Sequence, residues 1–308
     1  MNEDKSTRYH RLRRRADLLG TAAAGAVLLA LILSGAALQL REMAAALSSA
    51  FPGSLDDALT VILLTVMLVL LLQLIEFPFA FYQGHLLEHH YGLSTQTTRH
   101  WLADQGKGVF LGLALAVAGS SIVFVTLRNW PGQWWWMSSA AFAVATVVMA
   151  RLAPVVLLPM FYRFKPLERP ALVARLLALA QRASADVVGV FEWVLSGHTR
   201  KANAALAGMG HTRRILLSDT LLADYSEDEI EVVLAHELAH HVHRDLWRGI
   251  ALQTLLLLAG FFLADAVLRR AAGAAGLRGL SDPAALPLLM LVAGAWSLLT
   301  LPRVNALS

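Results

Sequence analysis

Apolar residues in this chain fall into long unbroken runs, with one polar block between them. Leu18 to Leu40 carries no charge, and neither does Ala58 to Ile75. Gly108 to Leu127 and Asn129 to Ala150 follow, the latter staying apolar past Arg151 to about Tyr162. Gly249 to Ala264, extending to Leu268, and Ala284 to Leu301 complete the set. A membrane-spanning helix needs about 20 largely apolar residues, so the pattern predicts about six spans. The "GQWWWM" ahead of the fourth run places three Trp where an interfacial belt would lie. The polar block, residues 163–248, has mixed periodicity. Leu172, Leu176, Leu177 and Ala180 predict a helix over Pro170 to Ala185, and "VVGVFEWV" (Val187 to Val194) predicts a strand. "NAALAGMG" and "RRILLS" predict two short strands around a Gly-rich turn. Ser226, with Glu229 three residues later, is a capping box that opens a helix running through His240. The predicted fold is mainly α: polytopic membrane helices with a small α+β domain. Residues 1–162 form an N-terminal membrane domain of four spans, 163–248 the α+β domain, and 249–308 two further spans.

Composition agrees with a membrane protein. Of the 308 residues 57% are hydrophobic and 16% charged, against roughly 25% charged in ordinary soluble domains. There is no cysteine, which excludes disulfides and thiolate metal sites. The net charge of +4 does not point to nucleic acid, because the cations concentrate beside a span: Lys5, Arg8, Arg11, Arg13, Arg14 and Arg15 against Glu3 and Asp4. By the positive-inside rule this tail is cytoplasmic and the bilayer is its partner. The charge-free core behind it is longer than that of a signal peptide, so the segment reads as an uncleaved anchor. Counting spans then puts 41–57 outside, 82–107 and 163–248 inside, and Arg269, Arg270 and Arg278 outside, against the rule.

The candidate chemistry is in "VVLAHELAHH", where His236, Glu237 and His240 form H-E-x-x-H. Residues four apart share a helix face, which lets two imidazoles converge on one Zn²⁺ at about 2.0–2.1 Å. Glu237, one step round, reaches a water acidified by the metal and acts as general base in peptide hydrolysis. This makes the α+β block a zincin-type domain. The bland alternative is a helix with two surface His and a Glu in local pairs. His243 shares the face but lies about 10.5 Å along the axis from His236. With no Gly to turn the chain before it, His241 and His243 read as surface or supporting residues.

Beyond the pentapeptide, four ordered stretches resemble the type I CAAX prenyl protease family of integral-membrane zinc endopeptidases. "FYQGHLLEHHYGLSTQTTRHWLADQGKG" (Phe81 to Gly108) resembles its N-terminal signature loop, and "PMFYRFKPLE" the junction into the protease domain. "SGHTRKANAALAGMGHTRRILLSDTLL" resembles the segment bearing the substrate-binding edge strand, and the H-E-x-x-H helix follows. The resemblance implies a membrane zinc endopeptidase with one Zn²⁺ per chain and an intramembrane chamber. His236 and His240 are then ligands and Glu237 is the catalytic base. Asn203, Ala204, Ala205, Leu206, Ala207 and Gly208 line the cleft for a peptide or membrane-protein substrate; a plain structural hairpin is the equal alternative. The cluster His85, His89 and His90 could suggest a second metal, but the resemblance implies that this loop is structural. The implied site is cytoplasmic-facing in a bacterial cytoplasmic membrane.

The family's third ligand is a Glu in N-x-x-S-R-x-x-E-x-x-x-D. Here "LPRVNALS" matches with Asn305 and Ser308, and the Arg, Glu and Asp do not follow. The expectation is a site with two protein ligands, in a chain cut short and weakly active or inactive as given. Quality control of damaged membrane proteins, or partner or metal binding without cleavage, are the alternative readings. A transporter built on Glu76 and Asp265 is a weaker third.

Overall fold

The structure is a computed structural model that describes residues 4–51, 56–243 and 245–305. In chain order the helices and strands are α1 (Lys5–Leu33), α2 (Ala36–Ser48), α3 (Asp56–Phe81), α4 (Leu87–His90), α5 (Thr98–Asn129), α6 (Trp134–Leu152), α7 (Leu158–Phe161), β1 (Arg163–Pro166), α8 (Pro170–Arg182), β2 (Val190–Val194), β3 (Ala204–Ala207), β4 (Arg214–Ser218), α9 (Asp219–Asp224), α10 (Glu227–Val242), α11 (Asp245–Ala271) and α12 (Leu286–Asn305). Single π-helical turns join α3 to α4 and α6 to α7. The described residues of Met1–Leu87, Gln105–Ala143 and Gln253–Ala306 form one compact unit, and those of Glu88–Asp104 and Val144–Leu252 form another.

Six helical stretches are long and apolar enough to cross a membrane: Lys5–Leu33, Asp57–His90, Thr98–Asn129, Trp134–Phe161, Asp245–Ala271 and Pro283–Leu301. Each takes up most of one of the six apolar runs. Four details differ from the sequence expectation. The first run is not one helix to Leu40: Gly35 takes φ +73° and the chain restarts as α2, because a left-handed glycine ends a helix at no steric cost. The segment after Leu40, which the span count placed outside the membrane, continues α2 to Ser48. The loop expected over 82–107 is mostly helix, with only 91–97 between α4 and α5. Trp134 does not face outward as a belt residue would. It is fully buried, its Nε1 donates to Asp265 Oδ1 at 2.6 Å, and its ring meets Phe261 edge-on.

The core of the first unit joins Leu64 and Leu68 of α3, Phe124 and Leu127 of α5, Trp134, and Leu268 of α11. Its buried charges are partnered. The Arg41 guanidinium donates to Asp282, which also accepts from the Arg278 and Ala284 backbone N–H groups. Arg269, counted against the positive-inside rule, bonds Asp265 Oδ2 at 2.8 Å and the Pro131 carbonyl. A cavity of about 560 Å³ lies among α3, α5, α6, α11 and α12, with Gly119, Phe142, Gly260 and Trp296 in its wall. At Gly260 the Trp296 ring lies directly on the backbone of α11, and its Nε1 donates to the Leu256 carbonyl.

In the second unit a four-stranded sheet has the order β1-β2-β4-β3. β1 and β2 are antiparallel, β2 and β4 parallel, β4 and β3 antiparallel. Strand β1 has no counterpart in the sequence reading; its four residues, mostly exposed, give no alternation to detect. Helices α8 and α10 cover the sheet. Leu172, Leu176 and Ala180 of α8 and Ile230, Leu234 and Leu238 of α10 meet Ile215 and Leu217 of β4 in one core.

A Cβ at Gly260 would sit 2.7 Å from Trp296 Cδ1 and 2.8 Å from its Nε1. Gly260→Ala is expected to lower stability by about 1–3 kcal/mol through overpacking. The readout is the thermal unfolding temperature of the detergent-solubilised protein. Gly294→Ala, where an added Cβ meets nothing within 4 Å, serves as the neutral control.

Candidate metal centre and substrate edge

The candidate centre is built on α10. Its start is the capping box expected from sequence: Ser226 Oγ accepts from Glu229 N, and Glu229 Oε2 accepts from Ser226 N at 2.8 Å. Those bonds hold the Glu229 carboxyl below its ordinary range. Glu227, Asp228 and Glu229 also place negative charge at the positive end of the helix dipole. Ile230, Leu234 and Leu238, each four residues apart, are buried. His236 and His240 each follow a buried Leu by two positions, about 200° around the helix. The phase that anchors α10 therefore turns both imidazoles outward.

His236 and His240 are exposed, with ring centroids 5.0 Å apart and planes at 81°. Glu237, between them in sequence, is half-buried. His240 Nδ1 lies 2.9 Å from Asp245 Oδ2 in the first turn of α11. A carboxylate on Nδ1 fixes the proton there and leaves Nε2 as the lone-pair donor, the arrangement found behind metal-ligating histidines. The donor set thus fits a Zn²⁺ ion: two borderline-soft nitrogens one turn apart, one of them already oriented. Asp245 escaped the sequence reading; its signal was an acid five residues beyond the second His. His241 is half-buried and His243 is the exposed C-cap residue of α10. Among the described residues no group of three or more His, Asp or Glu side chains is disposed to hold a metal. Ser308 lies outside the described residues. His85 is buried and stacked on Phe81 at 5.3 Å between centroids.

Strand β3, predicted as part of "NAALAGMG", is an edge strand: among the described strands it pairs with β4 alone. It packs against α10. Ala204 is buried, while Ala205, Leu206, Ala207 and Gly208 are partly exposed and Asn203 is exposed. Asn203 is pinned at the entry to the strand, its N–H donating to Ser218 Oγ at 2.8 Å and its carbonyl accepting from Ser218 N at 2.9 Å. At the exit, Gly208 takes φ +100°, beside Gly210 at φ +56°.

The loop leading into β3 is clamped from two sides, neither of which the sequence announced. Asp219 accepts from Leu195 N at 2.8 Å, Ser196 N at 3.0 Å and Thr220 N at 2.9 Å, and from the Ser196 hydroxyl. Burial pushes the Asp219 carboxyl up, and these bonds outweigh it, leaving it below its ordinary range. On the other side the 91–97 segment adds an antiparallel bridge between Ser94 and Thr199. Thr95 N donates to the His198 carbonyl, Arg200 N to the Leu93 carbonyl, and Lys201 Nζ lies 3.3 Å from Glu88. The "E-H-x-x-G-L-S" stretch therefore has a structural task, which is to hold the approach to the edge strand.

A family profile described as "CAAX prenyl protease N-terminal, five membrane helices" matches residues 2–163, and one for peptidase family M48 matches 166–307. The chain belongs to this family: it is a membrane protein of the M48 metallopeptidases related to CAAX prenyl protease. It is 30% identical over 232 residues to "Uncharacterized metalloprotease YhfN" of Bacillus subtilis (strain 168), covering 73% of this chain and 54% of that one. To CAAX prenyl protease 1 of Saccharomyces cerevisiae it is 32% identical over 173 residues, 54% of this chain and 37% of that one. A crystal structure of S. mikatae Ste24p has the same fold, with TM-score 0.75 and 24% identity over 86% of this chain and 62% of the other. The chain spans about half or less of the length of these two sequence relatives.

A Cβ at Gly208 would lie 2.6 Å from the Thr212 carbonyl oxygen, at a backbone angle that L side chains rarely adopt. Gly208→Ala is expected to cost about 1–3 kcal/mol and to open the β3–β4 turn. Limited proteolysis should then cut between 207 and 213 in the variant well before the parent protein.

Proposed function

We propose that the protein is a zinc-dependent membrane endopeptidase that cleaves peptide or membrane-protein substrates. The observation that carries this reading is the His236–His240 pair, turned outward on α10 with His240 braced by Asp245. His236 and His240 would hold one Zn²⁺ per chain through their ring nitrogens. Zinc, when bound, acidifies a water and polarises the scissile carbonyl. Glu237 takes the proton from the attacking water and returns it to the leaving amine. Asp245 keeps the His240 ring in one tautomer and one orientation.

Asn203 to Gly208 would hold the substrate as an added strand, main chain to main chain along the outer edge of β3. Small side chains at Ala204, Ala205, Ala207 and Gly208 suit that close approach. Support for a bacterial setting comes from the B. subtilis relative, and for a cytoplasmic N-terminus and active site from the cations at the head of the first span. Quality control of membrane proteins fits this setting, since it asks only for an extended peptide and no prenyl group.

Two imidazoles without a third protein donor among the described residues give a weaker hold on zinc than three. The 308-residue chain is therefore expected to bind zinc weakly and to hydrolyse peptides slowly, and the non-cleaving alternative rests on the same observation.

Metal analysis of the purified protein after equilibration with micromolar zinc provides the test. Binding is expected to rise toward about one zinc per chain as free zinc is raised, and His240→Ala should lose it. Glu237→Gln should keep the zinc and lose peptide hydrolysis by about 10²–10⁴-fold. Zinc retained by the double variant His236→Ala/His240→Ala would overturn the assignment. In a separate measurement, Asp245→Asn should weaken zinc binding by about 10–100-fold with unchanged thermal stability of the metal-free protein; equal affinity would remove Asp245 from the centre.

A further inference from the structure

The cavity of the first unit is a blind tube. At one end its lining residues Thr65, Ser120, Trp134, Ala264 and Leu286 are all buried. At the other end Gln253, Ser297 and Leu301 line it and are exposed. Along α11 the lining runs from Gln253 to Ala264, about 16 Å at 1.5 Å per residue. A volume of about 560 Å³ spread over that length leaves an average width of about 6–7 Å. Non-bonded carbons sit about 3.5–4.0 Å apart, so the tube admits one hydrocarbon chain and not two side by side.

Polarity is confined to the open end. No lining residue has an ionisable side chain. The polar groups further in are already paired: Thr65 Oγ1 donates to Ser120 Oγ at 2.8 Å, Ser120 Oγ to the Val117 carbonyl, and Trp134 Nε1 to Asp265. Trp296 Nε1 donates to the Leu256 carbonyl, and Thr300 Oγ1 to the Trp296 carbonyl. The Gln253 amide and the Ser297 hydroxyl lie on the same side of the Trp296–Leu256 bond, toward the mouth, where both are exposed.

From this shape we infer that the tube is a binding site for a single-chain lipid with an uncharged, hydrogen-bonding head, the chemistry of a monoacylglycerol. The chain would lie along Leu257, Phe261 and Leu289, and the head would bond Gln253 and Ser297. A peptide is a poor occupant, because its backbone N–H and C=O groups would meet walls with nothing to pair them. Water is another, because apolar cavities stay dry. A two-chain phospholipid leaves its second chain outside a tube one chain wide. A charged head would sit at membrane depth against a lining that holds no counter-charge. A neutral single-chain lipid meets every one of these constraints, and the surrounding bilayer is its source. The inference is independent of the proposed peptidase activity.

The test is equilibrium binding of tritiated 1-palmitoylglycerol to the detergent-purified full chain, with unlabelled competitors of the same chain length. Binding should saturate at about one lipid per chain. Unlabelled 1-palmitoylglycerol should displace the label, while palmitoyl lysophosphatidylglycerol and dipalmitoyl phosphatidylcholine should each need at least about tenfold higher concentration. Ala116→Phe and Ala293→Phe each put a ring into the tube and should weaken binding by at least about tenfold. Ala114→Phe, at an exposed position of α5 outside the lining, should leave it unchanged. Uptake that does not saturate would overturn the inference, as would full binding in both A116F and A293F. Equal displacement by the charged lysolipid or by the two-chain lipid would overturn it too. If either plugged variant fails to fold, the saturation and the order of competitors in the parent protein still decide it.

Discussion

The apolar stripe Ile230, Leu234 and Leu238, seated between the sheet and α8, is the constraint on which the candidate centre depends. A helix has one rotational phase. Once those three side chains are buried, residues two positions further on must face the other way, and those residues are Val232, His236 and His240. The Ser226–Glu229 box fixes where the helix begins, so neither sliding nor rotation is free. The chemistry is placed by the core and not by contacts among the functional groups themselves.

The same logic extends to the edge strand. β3 is short and has a partner on one side only, which is the least stable position in a sheet. Its stability comes from its ends: Ser218 at Asn203, the Asp219 turn behind that, and the 91–97 segment laid against His198 to Arg200. An edge that is rigid before a peptide arrives loses less entropy when the peptide pairs with it. The clamped approach would therefore suit so small a strand to the proposed role of template.

Much of this was legible in the sequence because it rests on local patterns. Six apolar runs become six candidate spans, the alternation around "NAALAGMG" and "RRILLS" becomes β3 and β4, and the capping box opens α10 where it should. What was not legible depends on tertiary geometry. The apolar run Leu18 to Leu40 contains nothing in its hydrophobicity to break it; the break comes from one glycine adopting φ +73°. Trp134 looks like a belt residue until its N–H finds Asp265, 131 positions away. Asp245 becomes a partner of His240 only because the chain turns between α10 and α11 and brings the acid back. The segment 91–97 was recognisable as a signature, but its purpose lies in a pairing more than a hundred residues distant.

The distribution of polar groups separates architecture from chemistry. In the first unit two acids are already spent: Asp282, ahead of α12, on Arg41, Arg278 and Ala284, and Asp265 of α11 on Trp134 and Arg269. A largely shielded carboxylate bonded to two neighbours is costly to pull away from them, so Asp265 is a structural anchor and the transporter reading loses its better candidate. His236 and His240 are arranged in the opposite way. They are exposed, and the one partner that His240 has, Asp245, orients its ring without consuming its second nitrogen. Groups that a fold needs are paired and inside; groups that a ligand needs are oriented from behind and left open in front. By that criterion α10 is the candidate for the chemistry of this chain, and Asp265 and Asp282 belong to the packing of the first unit.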